Sequence, residues 1–233
     1  RRSFGDNKLY SRVFYEHLRK LLQRGSSIGF FPEGGRSRSG RLLPPRPGII
    51  SMLIRAFQDM DEKPVKFVPI SMNYEKVLEG NSYHKEAMGD AKKKESLTSI
   101  LRVARDFRGY LGDVYLQVGQ PIDLKEFLDN NHESWSKNLI SEDLDNSPNQ
   151  KWLYDLTPKL GKEIMKNINK ASVVTPSALF ASAILNANKF NLSEKKLKSR
   201  LSLYIKLIKL SEYSDQIDIP ETDPEKILPK VEK

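Results

Sequence analysis

The sequence predicts an α/β fold, a mixed and largely parallel sheet flanked by helices, followed by a helical C-terminal region. Three observations carry this. Apolar residues recur at helical spacing over 9–24 and again from 49. Short apolar runs over 27–31, 65–72 and 114–118 end at Gly or Pro or alternate, as strands do. Beyond 150 the pattern turns helical. Strands separated by helices imply crossover connections, and with them a largely parallel sheet.

Taken in order, Leu9, Val13, Phe14, Leu18, Leu21 and Leu22 form the stripe of a first helix, closed by Gly25. The strand over 27–31 runs into Pro32-Glu33-Gly34-Gly35, which cannot continue it. A polar, basic loop follows to Arg41, then Pro44-Pro45-Arg46-Pro47-Gly48. Ile49, Met52, Leu53, Ala56 and Phe57 mark a second helix. A strand over 65–72, a third helix over 95–110 and a strand over 114–118 complete the α/β part, which spans 1–130. Residues 131–150 are polar and turn-rich and read as a linker or surface insertion. The helical region, 151–212, holds helices over 152–168, 176–187 and 193–210, the last with Ser193 as N-cap. Trp152 and Tyr154 are expected in its core. Residues 213–233, with three prolines and alternating charges, are expected to form an extended tail.

The 233 residues carry a net charge of +9, unevenly placed. Residues 1–58 hold twelve Lys/Arg against three Asp/Glu, and ten of the fourteen arginines. A guanidinium offers a rigid fork of donors matched to phosphate or carboxylate oxygens, whereas lysine is a mobile point charge. An arginine-rich segment on a lysine-rich chain therefore suggests a built anion site, against the plainer reading of a solvated basic face. With no cysteine there is no disulfide framework and no thiolate metal site. No metal-ligand spacing occurs, and no run of about 18 apolar residues suggests a membrane span. The chain opens on Arg1-Arg2-Ser3-Phe4 without Met, and this N-terminus reads as a cut.

The richest constellation is Phe30-Phe31-Pro32-Glu33-Gly34-Gly35-Arg36-Ser37-Arg38-Ser39-Gly40-Arg41. It stands where a strand is expected to end, the place at which open α/β sheets gather ligands. Gly34 and Gly35 permit close backbone approach or positive φ. Arg36, Arg38 and Arg41 add donors, and Ser37 and Ser39 add hydroxyls. The lone carboxylate, Glu33, either orients an arginine or accepts a hydrogen bond from a substrate hydroxyl. The constellation reads as a phosphate-ester site or, alternatively, as a simple basic turn.

The run from Phe31 to Gly40 resembles the third conserved block of the glycerolipid acyltransferases, whose core is Phe-x-Glu-Gly-x-Arg. With Gly40-Arg41-Leu42-Leu43 after it, it is similar to the bacterial membrane-bound glycerol-3-phosphate acyltransferase branch. Arg1-Arg2-Ser3-Phe4 resembles the end of that family's second block, and Val68-Pro69-Ile70 with Tyr74-Glu75 its fourth. Val118-Gly119-Gln120-Pro121-Ile122 and Thr175-Pro176-Ser177-Ala178-Leu179 also resemble that branch, in the same order. The resemblance implies that 1–130 is the C-terminal part of an acyltransferase domain. It also implies acyl transfer from acyl-CoA or acyl carrier protein to the 1-hydroxyl of glycerol 3-phosphate, with no cofactor. Arg2 or Arg1, with Glu33, Gly34, Arg36, Ser37 and Arg38, would hold phosphate and glycerol, and Pro69 would shape the pocket. It further implies peripheral association with a membrane surface, most naturally the cytoplasmic face of a bacterial inner membrane.

One block is missing. The family's first block is a histidine followed, after four residues, by an aspartate, serving as general base and its orienter. Here His17 is followed at that spacing by Leu22, His84 by Gly89 and His132 by Lys137. The pair is therefore expected upstream of Arg1. Ser37 or Ser39 as a covalent nucleophile would need a base that the sequence does not supply. A peroxisomal dihydroxyacetone-phosphate acyltransferase shares these blocks, and a non-catalytic phosphate-binding homologue would share most of them. A nucleic-acid-binding module is the reading from another class. It is disfavoured because no docking motif is present and no aromatics interleave the basic run.

Overall fold

The computed structural model describes residues 7–35, 37, 40–60, 63–75, 112–133, 135, 151–187, 192–211 and 217–231. The helix expected over 95–110, His84 and most of the linker over 131–150 lie outside the described residues. The chain divides into two compact units, Arg1–Pro69 with Gln120–Asn167 and Ile70–Gly119 with Ile168–Lys233. Each unit draws on both the α/β segment and the helical segment of the sequence.

In the first unit, α1 (Lys8–Gln23) begins at Asn7, whose side chain accepts the Tyr10 N–H at 2.9 Å. Its buried residues are Tyr15 and Leu18, while Leu9 and Val13 of the expected stripe face outward. The Tyr15 hydroxyl donates to Asp59 at 2.9 Å, just beyond the end of α2 (Pro47–Gln58). Burial first, and then Asp59, push the Tyr15 phenol well above its usual range. Helix α2 opens on Pro47, which is tolerated in a first turn, and buries Ile50, Leu53, Ile54, Ala56 and Phe57.

Strand β1 (Lys66–Phe67) is short because Pro69 lacks the N–H that a continuing ladder needs. It pairs antiparallel with β4 (Ile122–Asp123), which feeds α3 (Leu124–Asn131). The Asp123 carboxylate accepts the Glu126 N–H, and Leu124 and Leu128 are fully buried. Helix α4 (Lys151–Lys170) buries Trp152, Leu153, Leu156, Leu160 and Ile164. Tyr154, expected in the core, is instead 63% exposed. The reason is rotational: Pro158, one turn on, leaves the Tyr154 carbonyl without its helical donor, and that face is turned to water.

In the second unit, β2 (Ile70–Tyr74) and β3 (Val114–Val118) form an antiparallel ladder from Ile70↔Val118 to Tyr74↔Val114. Both described ladders are antiparallel, and the described parallel contact is the single bridge Val173↔Asp218. The segment 27–31 has no ladder partner among the described residues and is not a strand.

Helix α5 (Pro176–Leu185) is capped by Thr175, whose hydroxyl oxygen accepts the Ala178 N–H at 3.2 Å. The run Thr175-Pro176-Ser177-Ala178 thus acts as a helix start. Helix α6 (Glu194–Lys209) begins after Ser193, as expected, although the Ser193 hydroxyl makes no capping bond. The extended tail expected over 213–233 is corrected by α7 (Pro224–Val231). Asp223 caps it by accepting the Glu225 N–H, Pro224 fits the first turn, and Ile227 is fully buried. Leu179, Ala183, Leu197, Leu201, Ile205 and Ile227 close a core between α5, α6 and α7.

Candidate functional site

The candidate site is the turn from Phe31 to Arg46. Its entry is fixed by Phe30, whose ring meets Phe67 of β1 edge to face at 6.2 Å. Its exit is fixed by Pro45, which presses on Gly161 of α4. A Cβ at Gly161 would lie 2.9 Å from Pro45 Cγ, so only glycine lets the loop pass so close to that helix. Among the hydrogen bonds of the described residues, three tie the turn together. The Gly34 N–H donates to the Phe31 carbonyl at 3.1 Å, and the Arg46 N–H to the Pro32 carbonyl at 2.7 Å. The Leu43 N–H donates to Glu33 Oε2 at 2.6 Å, a short, charge-assisted bond across ten residues.

Glu33 therefore has a role that neither sequence alternative named: it ties the two ends of the basic loop together. Its second oxygen has no described partner and remains able to accept from a hydroxyl. Gly34 has φ +63°, a left-handed conformation that costs other residues about 1–2 kcal/mol. A Cβ there would also lie 2.8 Å from Arg46 Cγ. Glycine is thus required twice at this position, by its backbone and by the side chain that crosses it.

The expected site residues are placed unevenly. Glu33, Gly34 and Ser37 are described in one turn, with Glu33 and Ser37 half-buried. Pro69 is buried two residues beyond Phe67, the residue whose ring anchors Phe30. Arg1, Arg2, Arg36 and Arg38 lie outside the described residues. His17 is exposed on α1, and His132 ends α3 with its ring 5.9 Å from that of Trp152. Arg46, which the sequence reading left out of the site, enters it through Pro32 and Gly34. No local pattern announces this, because Arg46 reaches Gly34 only where the chain returns to Pro32.

Among the described residues no cluster of His, Asp or Glu could hold a metal ion, and no helix is long and apolar enough to cross a membrane. An open groove lies between α6 and α7, but Lys198 within it is held by both Glu194 and Glu225. That groove is formed by the helical core and contains none of the site residues.

Residues 1–73 match the Acyltransferase family, and residues 83–232 match the glycerol-3-phosphate acyltransferase C-terminal region. The chain is 38% identical over 223 residues to a glycerol-3-phosphate acyltransferase of Pseudoalteromonas atlantica, covering 96% of this chain and 27% of that protein. It is 36% identical over 231 residues to that of Pseudomonas putida, covering 99% of this chain and 27% of the relative. For that of Pasteurella multocida the identity is 38% over 228 residues, covering 98% and 27%. The chain thus spans about a quarter of the length of these relatives. No solved structure matches it. With 150 of its 233 residues matched by one family model, the chain belongs to the glycerol-3-phosphate acyltransferase C-terminal region family.

Proposed function

We propose that this chain is the phosphate-holding part of a glycerol-3-phosphate 1-O-acyltransferase. The enzyme transfers an acyl group from acyl-CoA or acyl carrier protein to the 1-hydroxyl of glycerol 3-phosphate, the first step of phospholipid synthesis. The observation that carries the reading is the tie between Glu33 and the Leu43 N–H. It joins Glu33 to Leu43, which flank the arginine-rich run, in a chain whose relatives bear that enzyme's name.

In this reading Arg36 and Arg38, with Arg1 or Arg2 from the other block, enclose the phosphate dianion. Ser37 adds a hydroxyl, Gly34 lets the substrate approach the backbone, and the open oxygen of Glu33 accepts from the glycerol. Pro69 shapes the wall of the pocket. Held this way, the reacting hydroxyl has already lost much of its translational and rotational freedom before attack on the thioester. Attack requires a base to take the hydroxyl proton, and no histidine here has an aspartate at the required spacing. We assign that base to polypeptide outside these 233 residues. The excess of arginine and lysine before residue 59 suits peripheral contact with an anionic membrane surface.

The test is steady-state kinetics of the full-length enzyme with each substrate varied in turn. Arg36→Ala should raise KM for glycerol 3-phosphate about ten- to a hundredfold, the loss of one charge-assisted contact, and leave the acyl donor's KM unchanged. Arg36→Lys should recover part of that loss, since the charge remains without the fork. A rise confined to the acyl donor, or no change for either substrate, would contradict the assignment.

The largely parallel, helix-flanked sheet belongs to the same proposal. What supports its flanking layer, though not its strand direction, is the outer face of the β2–β3 ladder. Ile70, Met72, Tyr74, Val114, Leu116 and Val118 share that face through the register, and each is half exposed or more. The opposite face is polar and packed inward: Asn73 accepts the Val173 N–H, and Gln117 donates to Asp218. An apolar outer face is what a sheet shows when another layer belongs on it. We place there a layer from the part of the full-length enzyme that this chain does not span.

A further inference from the structure

Arg46 has an arrangement that a surface arginine does not need. It precedes α2 in an extended conformation, with φ −87° and ψ 123°, and its side chain makes no capping bond to that helix. Its N–H is committed to the Pro32 carbonyl at 2.7 Å, which fixes its Cα beside the start of the turn. Its stem then runs across Gly34 so closely that a methyl group there would meet Cγ at 2.8 Å, Cβ at 3.5 Å and Cδ at 3.9 Å. The backbone is therefore held by the turn, and the stem lies against Gly34. The guanidinium at the end of this stem is exposed and makes no hydrogen bond or ion pair with any described residue.

Three other described arginines are used differently. Arg12 and Arg19 pair with Glu16 on the surface of α1, and Arg200 donates to the Ala183 carbonyl. Arg46 combines a stem lying against Gly34 with a head that nothing described engages. Ordering a long side chain costs rotamer entropy. Here the stem already rests on Gly34, so an anion arriving at the turn meets a side chain with part of that ordering in place.

We propose that Arg46 is a further anion-binding residue of this site, its guanidinium taking a phosphate oxygen of the ligand held at the turn. The proposal rests on the reading of the turn as a phosphate site and adds one residue to it. It also assigns Gly34 a second purpose: a larger residue there would displace the stem of Arg46 along with the backbone. The chemistry recognised is a phosphate ester. Its two sources in the reaction are glycerol 3-phosphate and the phosphates of a CoA donor, and we assign Arg46 to glycerol 3-phosphate because the turn that holds it does so.

The decisive substitution is Arg46→Met in the full-length enzyme, because methionine keeps an unbranched apolar stem over Gly34 and removes the charge. It should leave the melting temperature unchanged and raise KM for glycerol 3-phosphate about tenfold or more, with the acyl donor's KM constant. Arg46→Lys should recover part of the loss, and Arg36→Ala run in parallel should shift the same constant. If Arg46→Met matches the parent in both constants while Arg36→Ala does not, Arg46 serves only through its stem and the inference fails while the phosphate site stands. A rise confined to the CoA donor would also overturn it, transferring Arg46 to the donor's phosphates. If neither substitution moves either constant, the reading of the turn itself fails.

Discussion

At the scale of single residues, the account turns on Glu33. Its carboxylate was legible in the sequence as the lone acid in a basic run, but its bond to Leu43 was not. That contact joins residues ten apart through a loop without periodic structure, and no local pattern reports it. The same holds for Arg46, which reaches Gly34 only because the chain returns to Pro32. Gly34 was legible because a positive φ selects glycine directly. The closure makes separable predictions for two substitutions. Glu33→Gln keeps a carbonyl oxygen to accept the Leu43 N–H, so the turn should persist with a neutral bond about half as strong. Glu33→Ala removes the acceptor altogether and should release the turn. Amide hydrogen exchange at Leu43 is the readout: strong protection in the parent, partial in Glu33→Gln, none in Glu33→Ala. Equal protection in all three would mean that the bond to Glu33 does not hold the loop.

At the scale of elements, the β2–β3 ladder makes the sharpest statement. Six half-exposed apolar side chains on one face would each gain on the order of 1 kcal/mol if covered. The chain contains no cysteine, so Leu116→Cys places a lone thiol on that face with modest loss of apolar area. Alkylation followed by peptide mass should be fast in the 233-residue chain and at least a hundredfold slower in the full-length enzyme. His17→Cys on exposed α1 serves as the control within the chain. Equal rates at Leu116→Cys in the two proteins would remove the covering layer from the account. Elements with strong periodicity were legible: α1, α2, α4, α5, α6 and β3 stand within a few residues of their expected bounds. The misses were short or depended on distant partners. Helices α3 and α7 have eight residues each, too few for a periodic signal, and are announced mainly by Asp123 and Asp223 at their caps. The segment 27–31 had a strand's composition, yet a strand exists only when another strand pairs with it.

At the scale of the whole chain, the central claim is that these residues hold a phosphate ester without carrying the base that would make it react. Family membership was legible because the blocks occur in order along most of the chain, and order is preserved even where local structure is hard to read. Strand direction is not specified by the alternation of helices and strands; both described ladders run antiparallel, and the largely parallel sheet stays part of the proposal. The most direct measurement is calorimetric titration of the 233-residue chain with glycerol 3-phosphate and, separately, with glycerol. The account predicts saturable binding of glycerol 3-phosphate that weakens as salt screens the arginines, and no binding of glycerol over the same range. Binding of glycerol as tight as that of its phosphate ester, or no binding of either, would contradict it.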